Sequence, residues 1–138
     1  MTVTIANAQR EHPVNARAIA RLAQAAVQCL RLRGRGAIAI TFIGRGPMRT
    51  LNRRFLRHDE ATDVLSFRYD GERLAGEILI APAAASSYAK HHGIPYRQEL
   101  HRYVVHGLLH WLGHDDRTPE AQRFMRALED RLLVACAS

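Results

Sequence analysis

Residues 104–116 read VVHGLLHWLGHDD, an almost wholly apolar run that ends in three ionisable side chains. Apolar residues fall on nearly every side of a helix drawn through this run, which predicts a buried helix over residues 96–112. His106 and His110 interrupt the apolar surface on one side, one helical turn apart. The segment therefore predicts a central helix that directs two neighbouring imidazoles towards the interior.

Two adjacent imidazoles in an apolar interior need partners, and they repel each other when both are charged. A divalent metal ion meets both requirements, because it binds neutral imidazoles. Gly113 lets the chain turn back after the helix, so that Asp115 or Asp116 can reach the same ion. The pattern favours a metal site that includes His106 and His110, and the alternative is a pair of hydrogen-bonded core histidines.

The sequence on either side predicts short strands and helices in an irregular order. The predicted strands cover residues 2–6, 37–43, 64–67 and 77–80, and the predicted helices cover residues 15–32, 47–55, 82–91, 96–112 and 119–135. This order is typical of an α+β fold, and 138 residues suit a single domain over residues 1–138.

Three of these elements carry more detailed expectations. Residues 37–43 are apolar on both alternating faces, which predicts an interior strand covered by helices. Asn15 is placed to cap the first helix, and Thr118 the last. In the last helix the predicted buried stripe is formed by Phe124, Met125, Leu128 and Leu132.

The composition bears on partners and location. The net charge is +7, and every basic residue except Lys90 is an arginine. This balance favours nucleic acid as a partner, although an Arg-rich composition also follows from a GC-rich genome. No apolar run is long enough to span a membrane and the start does not resemble a secretory signal, so a cytoplasmic location is expected.

The two cysteines, Cys29 and Cys136, are far apart in the sequence and outside any CxxC arrangement. This spacing indicates neither a disulfide framework nor a thiolate zinc cage, so we predict that both are packing residues.

Three blocks of the chain resemble motifs of the YbeY family. Leu51-Asn52 followed by ATDVLSF at residues 61–67 is similar to that family's L-N … T-[DN]-V-L-S-F block. GEILI at residues 76–80 is similar to its G-D-I-x-I strand, and residues 106–116 resemble its H-G-x-L-H-x-x-G-x-D-H signature. The blocks stand in the family's order and cover about residues 48–116.

The resemblance implies a single-domain α+β protein with a mixed four-stranded sheet packed by helices and one Zn²⁺ ion. It implies an endoribonuclease that acts on single-stranded ribosomal RNA, at the 3′ end of the small-subunit 16S RNA, and that takes part in ribosome quality control. RNA and the ribosome or its small subunit are the partners that it implies.

The third metal ligand is the first departure from the family pattern. The family carries a histidine six residues after the second ligand, whereas this chain has Asp116 there and a histidine two positions earlier, at His114. We predict Asp116 as the third ligand, with His114 as the alternative, because aspartate binds zinc and the position preserves the loop geometry. An anionic ligand should make water at the centre less acidic than three histidines would.

The second departure concerns an arginine that is important for activity in the family. Its position is occupied by Leu56, and Arg57 follows directly. We predict that Arg57 takes the catalytic role and offsets charge that develops on the phosphate. The alternative is that Arg53, Arg54 and Arg57 form a solvated basic face.

Two other functions compete with the nuclease. Zinc metalloproteases also use two histidines four residues apart, but they carry a glutamate after the first histidine, where this chain has Gly107. The second competitor is a noncatalytic, ribosome-associated RNA-binding protein with a structural zinc.

Overall fold

The computed structural model describes residues 1–55, 64–69 and 73–136. Its strands are β1 (Thr2–Ala8), β2 (Ala37–Ile43), β3 (Val64–Arg68) and β4 (Leu74–Ile80). Its helices are α1 (Ala16–Cys29), α2 (Arg45–Phe55), α3 (Pro82–His92), α4 (Tyr96–Trp111) and α5 (Pro119–Ala135). The described residues confirm the predicted α+β class, and each predicted element exists with its boundaries moved by a few residues at most.

The four strands form one mixed sheet in the order β1-β2-β4-β3. β2 pairs in parallel with both β1 and β4, while β3 runs antiparallel to β4. β3 and β4 are close in the chain, and a short connection favours an antiparallel pair, whereas parallel neighbours need a crossover. The sheet confirms that β2 is an interior strand.

The two faces of the sheet differ in how completely they are covered. Ile38, Ile40 and Phe42 on one face of β2 are fully buried beneath α1 and α4, in the main core. Side chains on the other face of β2 are only half-buried over most of its length. There a smaller cluster joins Met48 of α2 to Ile43 and Leu65. Among the described residues, helices therefore cover one face of this strand along its length, and α2 covers the other face at one end.

Helix α4 lies unusually close to the sheet. A Cβ atom placed on Gly107 would lie 2.6 Å from Cγ2 of Ile78. At the C-terminal end of the helix, the indole of Trp111 covers Gly76 and donates a hydrogen bond from Nε1 to the Ala75 carbonyl at 3.0 Å. Glycine on both surfaces therefore sets the height of α4 above β4. None of the helices in the described part of the chain is both long and apolar enough to cross a membrane.

The ends of the helices follow the predicted caps, but the inward face of α5 does not follow the predicted stripe. The side chains of Asn15 and Thr118 accept hydrogen bonds from backbone N–H groups in the first turns of α1 and α5.

In α5, Met125 and Leu132 are buried as predicted, whereas Phe124 is 59% exposed. The inward positions are 125, 129 and 132, at a spacing of one turn, and residue 124 lies about 100° away from residue 125. Glu129 takes the inward position and is 4% exposed.

Gly76→Ala tests the docking of α4. The added methyl would lie 1.9 Å from Nε1 of Trp111, so the indole must move and its hydrogen bond must lengthen. We expect the free energy of unfolding to fall by about 1–3 kcal/mol, the usual range for overpacking. The measurement is the midpoint of urea-induced unfolding.

The matched control is Gly46→Ala in α2, where an added Cβ meets nothing within 4 Å. This change should leave stability unchanged or raise it by up to about 1 kcal/mol, because alanine is the better helix former. Equal midpoints for the two variants would contradict the docking role of Gly76.

Candidate metal centre

His106 and His110 lie on successive turns of α4, with their ring centroids 4.5 Å apart and their planes inclined by 68°. Their side chains are 24% and 30% exposed. The apolar pattern predicted that the two rings point into the interior. The structure instead leaves them partly exposed. They lie in a cleft of about 930 Å³ whose walls come mainly from α4, α5 and β3. From residue 103 onwards, the other side chains of α4 are buried against the sheet and other helices, so in this half of the helix the two histidines form its open side.

The end of α4 turns the chain back towards these imidazoles. The N–H groups of Gly113 and His114 donate to the carbonyls of His110 and Leu109, the two hydrogen bonds of a Schellman motif. Gly113 has a φ of +106°, which a residue with a Cβ adopts only with strain. Gln122 of α5 then donates to the Asp116 carbonyl at 3.0 Å. These contacts hold Asp116 over the open side of α4.

The Asp116 carboxylate faces both imidazoles. Its Oδ2 lies 3.8 Å from Nε2 of His106, and its Oδ1 lies 3.6 Å from Nε2 of His110. The other two loop candidates have different neighbours. Asp115 accepts a hydrogen bond from the Arg117 backbone, and the ring of His114 lies beside Phe124. Of the predicted ligands in the loop, the structure brings Asp116 to the histidine pair.

The three side chains lie close enough together to share a metal ion. Their ligand atoms all lie within 4.8 Å of one another, and they form the group of potential ligands found in the described part of the chain. A tetrahedral zinc ion with bonds of about 2.0–2.2 Å would separate its ligands by roughly 3.3–3.6 Å. The two distances of 3.6 and 3.8 Å, which run from different oxygens of Asp116, are close to this separation. His106, His110 and Asp116 could therefore hold a metal ion.

The electrostatics of the site favour the neutral form of His110. Burial lowers the pKa of His110, and the neighbouring His106 lowers it further, while nearby carboxylates oppose the shift. A metal binds the neutral imidazole, so a lowered pKa reduces the competition from protons.

Glu129 belongs to the site, although the sequence reasoning did not identify it. Its Oε2 accepts a hydrogen bond of 2.5 Å from Nδ1 of His106. Glu129 stands one turn after Met125 and one turn before Leu132, on the face of α5 that was expected to be apolar. An acidic residue at this position was the signal that could have identified it. A buried carboxylate at such a position needs a partner.

Arginines line the opening of the cleft. Arg117, Arg123 and Arg126 contribute to its wall on the side of α5, and none of the three forms an ion pair with an acidic side chain that the structure describes. Arg57, the predicted catalytic arginine, and Leu56 lie outside the described residues. The basic wall is therefore formed by residues that the sequence reasoning did not assign to the site.

Gly107, which replaces the glutamate of zinc metalloproteases, faces the sheet. A Cβ at this position would also lie 3.1 Å from Cγ1 of Val64, so no larger side chain fits without moving the helix. The backbone carbonyl of Gly107 accepts a hydrogen bond from Ser66 at 2.8 Å. This position cannot supply a general base to the cleft, which argues against peptide hydrolysis.

Comparisons with known proteins agree with the resemblance seen in the motifs. The family model described as Endoribonuclease YbeY matches residues 4–137. A protein of Bacteroides fragilis named Endoribonuclease YbeY is 35% identical over 100 residues, 72% of each chain. A protein of the same name from Rhodopirellula baltica is 40% identical over 114 residues, 78% of this chain and 59% of that protein.

A solved structure shares the fold. The solution structure of TM1509 from Thermotoga maritima matches with a TM-score of 0.67 and 20% sequence identity, covering 98% of this chain and 89% of that one. Because the family model spans nearly the whole sequence, the resemblance is confirmed. The chain belongs to the YbeY family of endoribonucleases.

Proposed function

We propose that this protein is a zinc-dependent endoribonuclease that cuts single-stranded ribosomal RNA. Its role would be maturation of the 3′ end of the small-subunit 16S RNA and ribosome quality control, in the cytoplasm and in contact with the ribosome, with residues 1–138 as one catalytic domain. Family membership supports the reaction class. The observation that carries the proposal is the convergence of His106, His110 and Asp116 in an arginine-lined cleft.

The proposed zinc ligands are Nε2 of His106, Nε2 of His110 and the carboxylate of Asp116. Imidazole nitrogen and carboxylate oxygen are both common zinc ligands, and three protein ligands are typical of catalytic rather than structural sites. When bound, zinc supplies positive charge that polarises a phosphoryl oxygen and lowers the pKa of water. His110 can serve as a ligand near neutral pH because its pKa is lowered by burial.

The proposed RNA contacts lie along the wall of the cleft. Arg123 and Arg126 are exposed residues of α5, three positions apart, and both line the cleft beside the histidines. Arginine forms paired hydrogen bonds to phosphate oxygens, so these side chains suit the backbone of a single strand. The family resemblance adds Arg57 as the residue that offsets charge on the reacting phosphate, and this role remains a prediction.

Asp116→Ala and His114→Ala distinguish the two candidates for the third ligand. Asp116→Ala should weaken zinc binding by more than the roughly 100-fold that loss of an outer-shell partner can cause, because it removes a direct ligand. His114→Ala should leave the affinity unchanged, since the His114 ring lies beside Phe124. The measurement is competition with a chromophoric chelator. Loss of zinc in His114→Ala alone would contradict the assignment.

The nuclease proposal is tested on single-stranded 16S ribosomal RNA. We expect fragments on a denaturing gel with the zinc-loaded protein, and no fragments after chelation or in His110→Ala, because both remove the metal centre. His101→Ala is the control, since His101 lies on α4 outside the cleft. This variant should cleave the RNA as the wild type does. Wild-type protein that shifts the RNA in a native gel without cutting it would instead indicate a noncatalytic RNA-binding protein.

A further inference from the structure

Glu129 connects the candidate metal site to a network of charged side chains. Its two carboxylate oxygens have different partners, Oε2 with His106 and Oε1 with Nη1 of Arg102 at 3.0 Å. Arg102 also donates from Nη2 to Asp130 at 2.7 Å. The Glu129 side chain is 5% exposed and that of Arg102 is 12% exposed, so solvent screens this pair poorly, whereas Asp130 is 59% exposed.

This arrangement determines where His106 carries its proton. A neutral imidazole has one N–H and one bare nitrogen, and a carboxylate can only accept a hydrogen bond. With Oε2 of Glu129 against Nδ1, the proton belongs on Nδ1 and the lone pair on Nε2. Nε2 is the nitrogen that faces Asp116. The opposite tautomer would place a hydrogen atom where a metal must bind.

We infer that Glu129 is a positioning residue, which orients the His106 ring and holds its Nε2 lone pair towards the ion. The inference rests on the proposed metal site. Metal-ligating histidines commonly donate their second N–H to a carboxylate, and loss of that partner typically costs 10- to 100-fold in metal affinity. Arg102 holds the other oxygen of the Glu129 carboxylate and balances its charge at this buried position.

The network supplies a matched pair of variants. Glu129→Gln and Asp130→Asn each remove one carboxylate from Arg102, but only Glu129 contacts His106. We expect Glu129→Gln to weaken zinc binding by about 10- to 100-fold and Asp130→Asn to change it by less than about threefold. Equal losses in both variants, or no loss in Glu129→Gln, would overturn the inference.

Nitrogen-detected NMR of the imidazoles in metal-free protein provides a second readout, at a pH high enough for neutral rings. The wild type should show the His106 proton on Nδ1, and Glu129→Gln should show a mixture of tautomers. A proton on Nε2 in the wild type would overturn the inference without reference to any variant. If the wild type bound no zinc at all, the proposed function would fail, while the position of this proton would still decide the role of Glu129.

The two cysteines provide an independent observation. Cys29 ends α1 and is exposed, Cys136 follows α5 and is buried, and their sulfur atoms lie 3.7 Å apart. Their separation of 107 positions in the sequence gave no reason to pair them. An S–S bond of about 2 Å requires the sulfurs to move together by less than about 2 Å, at the ends of two helices.

We propose that Cys29 and Cys136 form a disulfide when the protein meets a low-molecular-weight disulfide. The Cys29 thiolate attacks one sulfur of that oxidant, forming a mixed disulfide and releasing one small thiolate. Cys136 then loses its proton and attacks the Cys29 sulfur, which releases the second small thiol. Two protein thiols are oxidised and one small disulfide is reduced to two thiols.

The environments of the two sulfurs support this order. Burial and the contact with Cys29 raise the pKa of Cys136 to about 11, which makes it a poor first nucleophile. Cys29 is the accessible partner. The bond would tie α1 to α5, the helix that carries Glu129, and would close a loop of most of the chain, which restricts the unfolded state.

Incubation with oxidised glutathione tests the proposal by intact mass under non-reducing conditions. The wild type should lose the mass of two hydrogen atoms while remaining monomeric, and its melting temperature should rise by several degrees until a reductant is added. Cys29→Ser should show neither change. A lasting glutathione adduct, an intermolecular dimer or two unreacted thiols in the wild type would each overturn the proposal.

Discussion

Helix α4 is covered on nearly every side, and this burial constrains the rest of the structure. From Glu99 to Trp111 no residue of the helix is fully exposed. Gly107 and Gly76 allow the helix to approach β4 more closely than ordinary side chains would permit. A polar group in the buried C-terminal half of this helix must therefore find a partner inside the protein or on the strip that faces the cleft. His106 and His110 occupy that strip.

The partners of the two imidazoles come from elements that follow α4 in the chain. The Schellman turn at Gly113 positions Asp116, and Glu129 lies on the inward face of α5. Both are acidic, so they favour positive charge between them, whether protons or a metal ion. Arg102 takes part of the charge of Glu129, which leaves Asp116 as the carboxylate directed at the open space.

In the proposed centre, Asp116 in place of the family's third histidine would change the charge by one unit. An anionic ligand neutralises more of the charge of a metal ion than a neutral ligand does, so a bound ion would acidify water less. The arginines of the α5 wall add positive charge close by, at Arg123 and Arg126. Both side chains are exposed, so solvent and salt would screen their attraction for a phosphate.

Local patterns were sufficient to predict the class of fold, the interior position of β2 and the histidine pair. Alternation, helical spacing and caps depend on neighbours within a few residues, which is why the limits of β2 and α5 could be read directly. The sequence favoured Asp116 over His114 through its position in the motif, but the placement of the two side chains is not a local property. It depends on the path of a loop that contacts α5 through Gln122.

Tertiary structure alone decided which distant residues meet. Glu129, and not Phe124, lies on the inward face of α5, because the packing of α5 against α4 selects which positions are buried. Cys29 and Cys136 came together because α1 and α5 end side by side. The sequence by itself determined the elements and the two histidines, through short-range periodicity. The partners that complete the site depend on packing between elements far apart in the chain, and no local pattern encodes that packing.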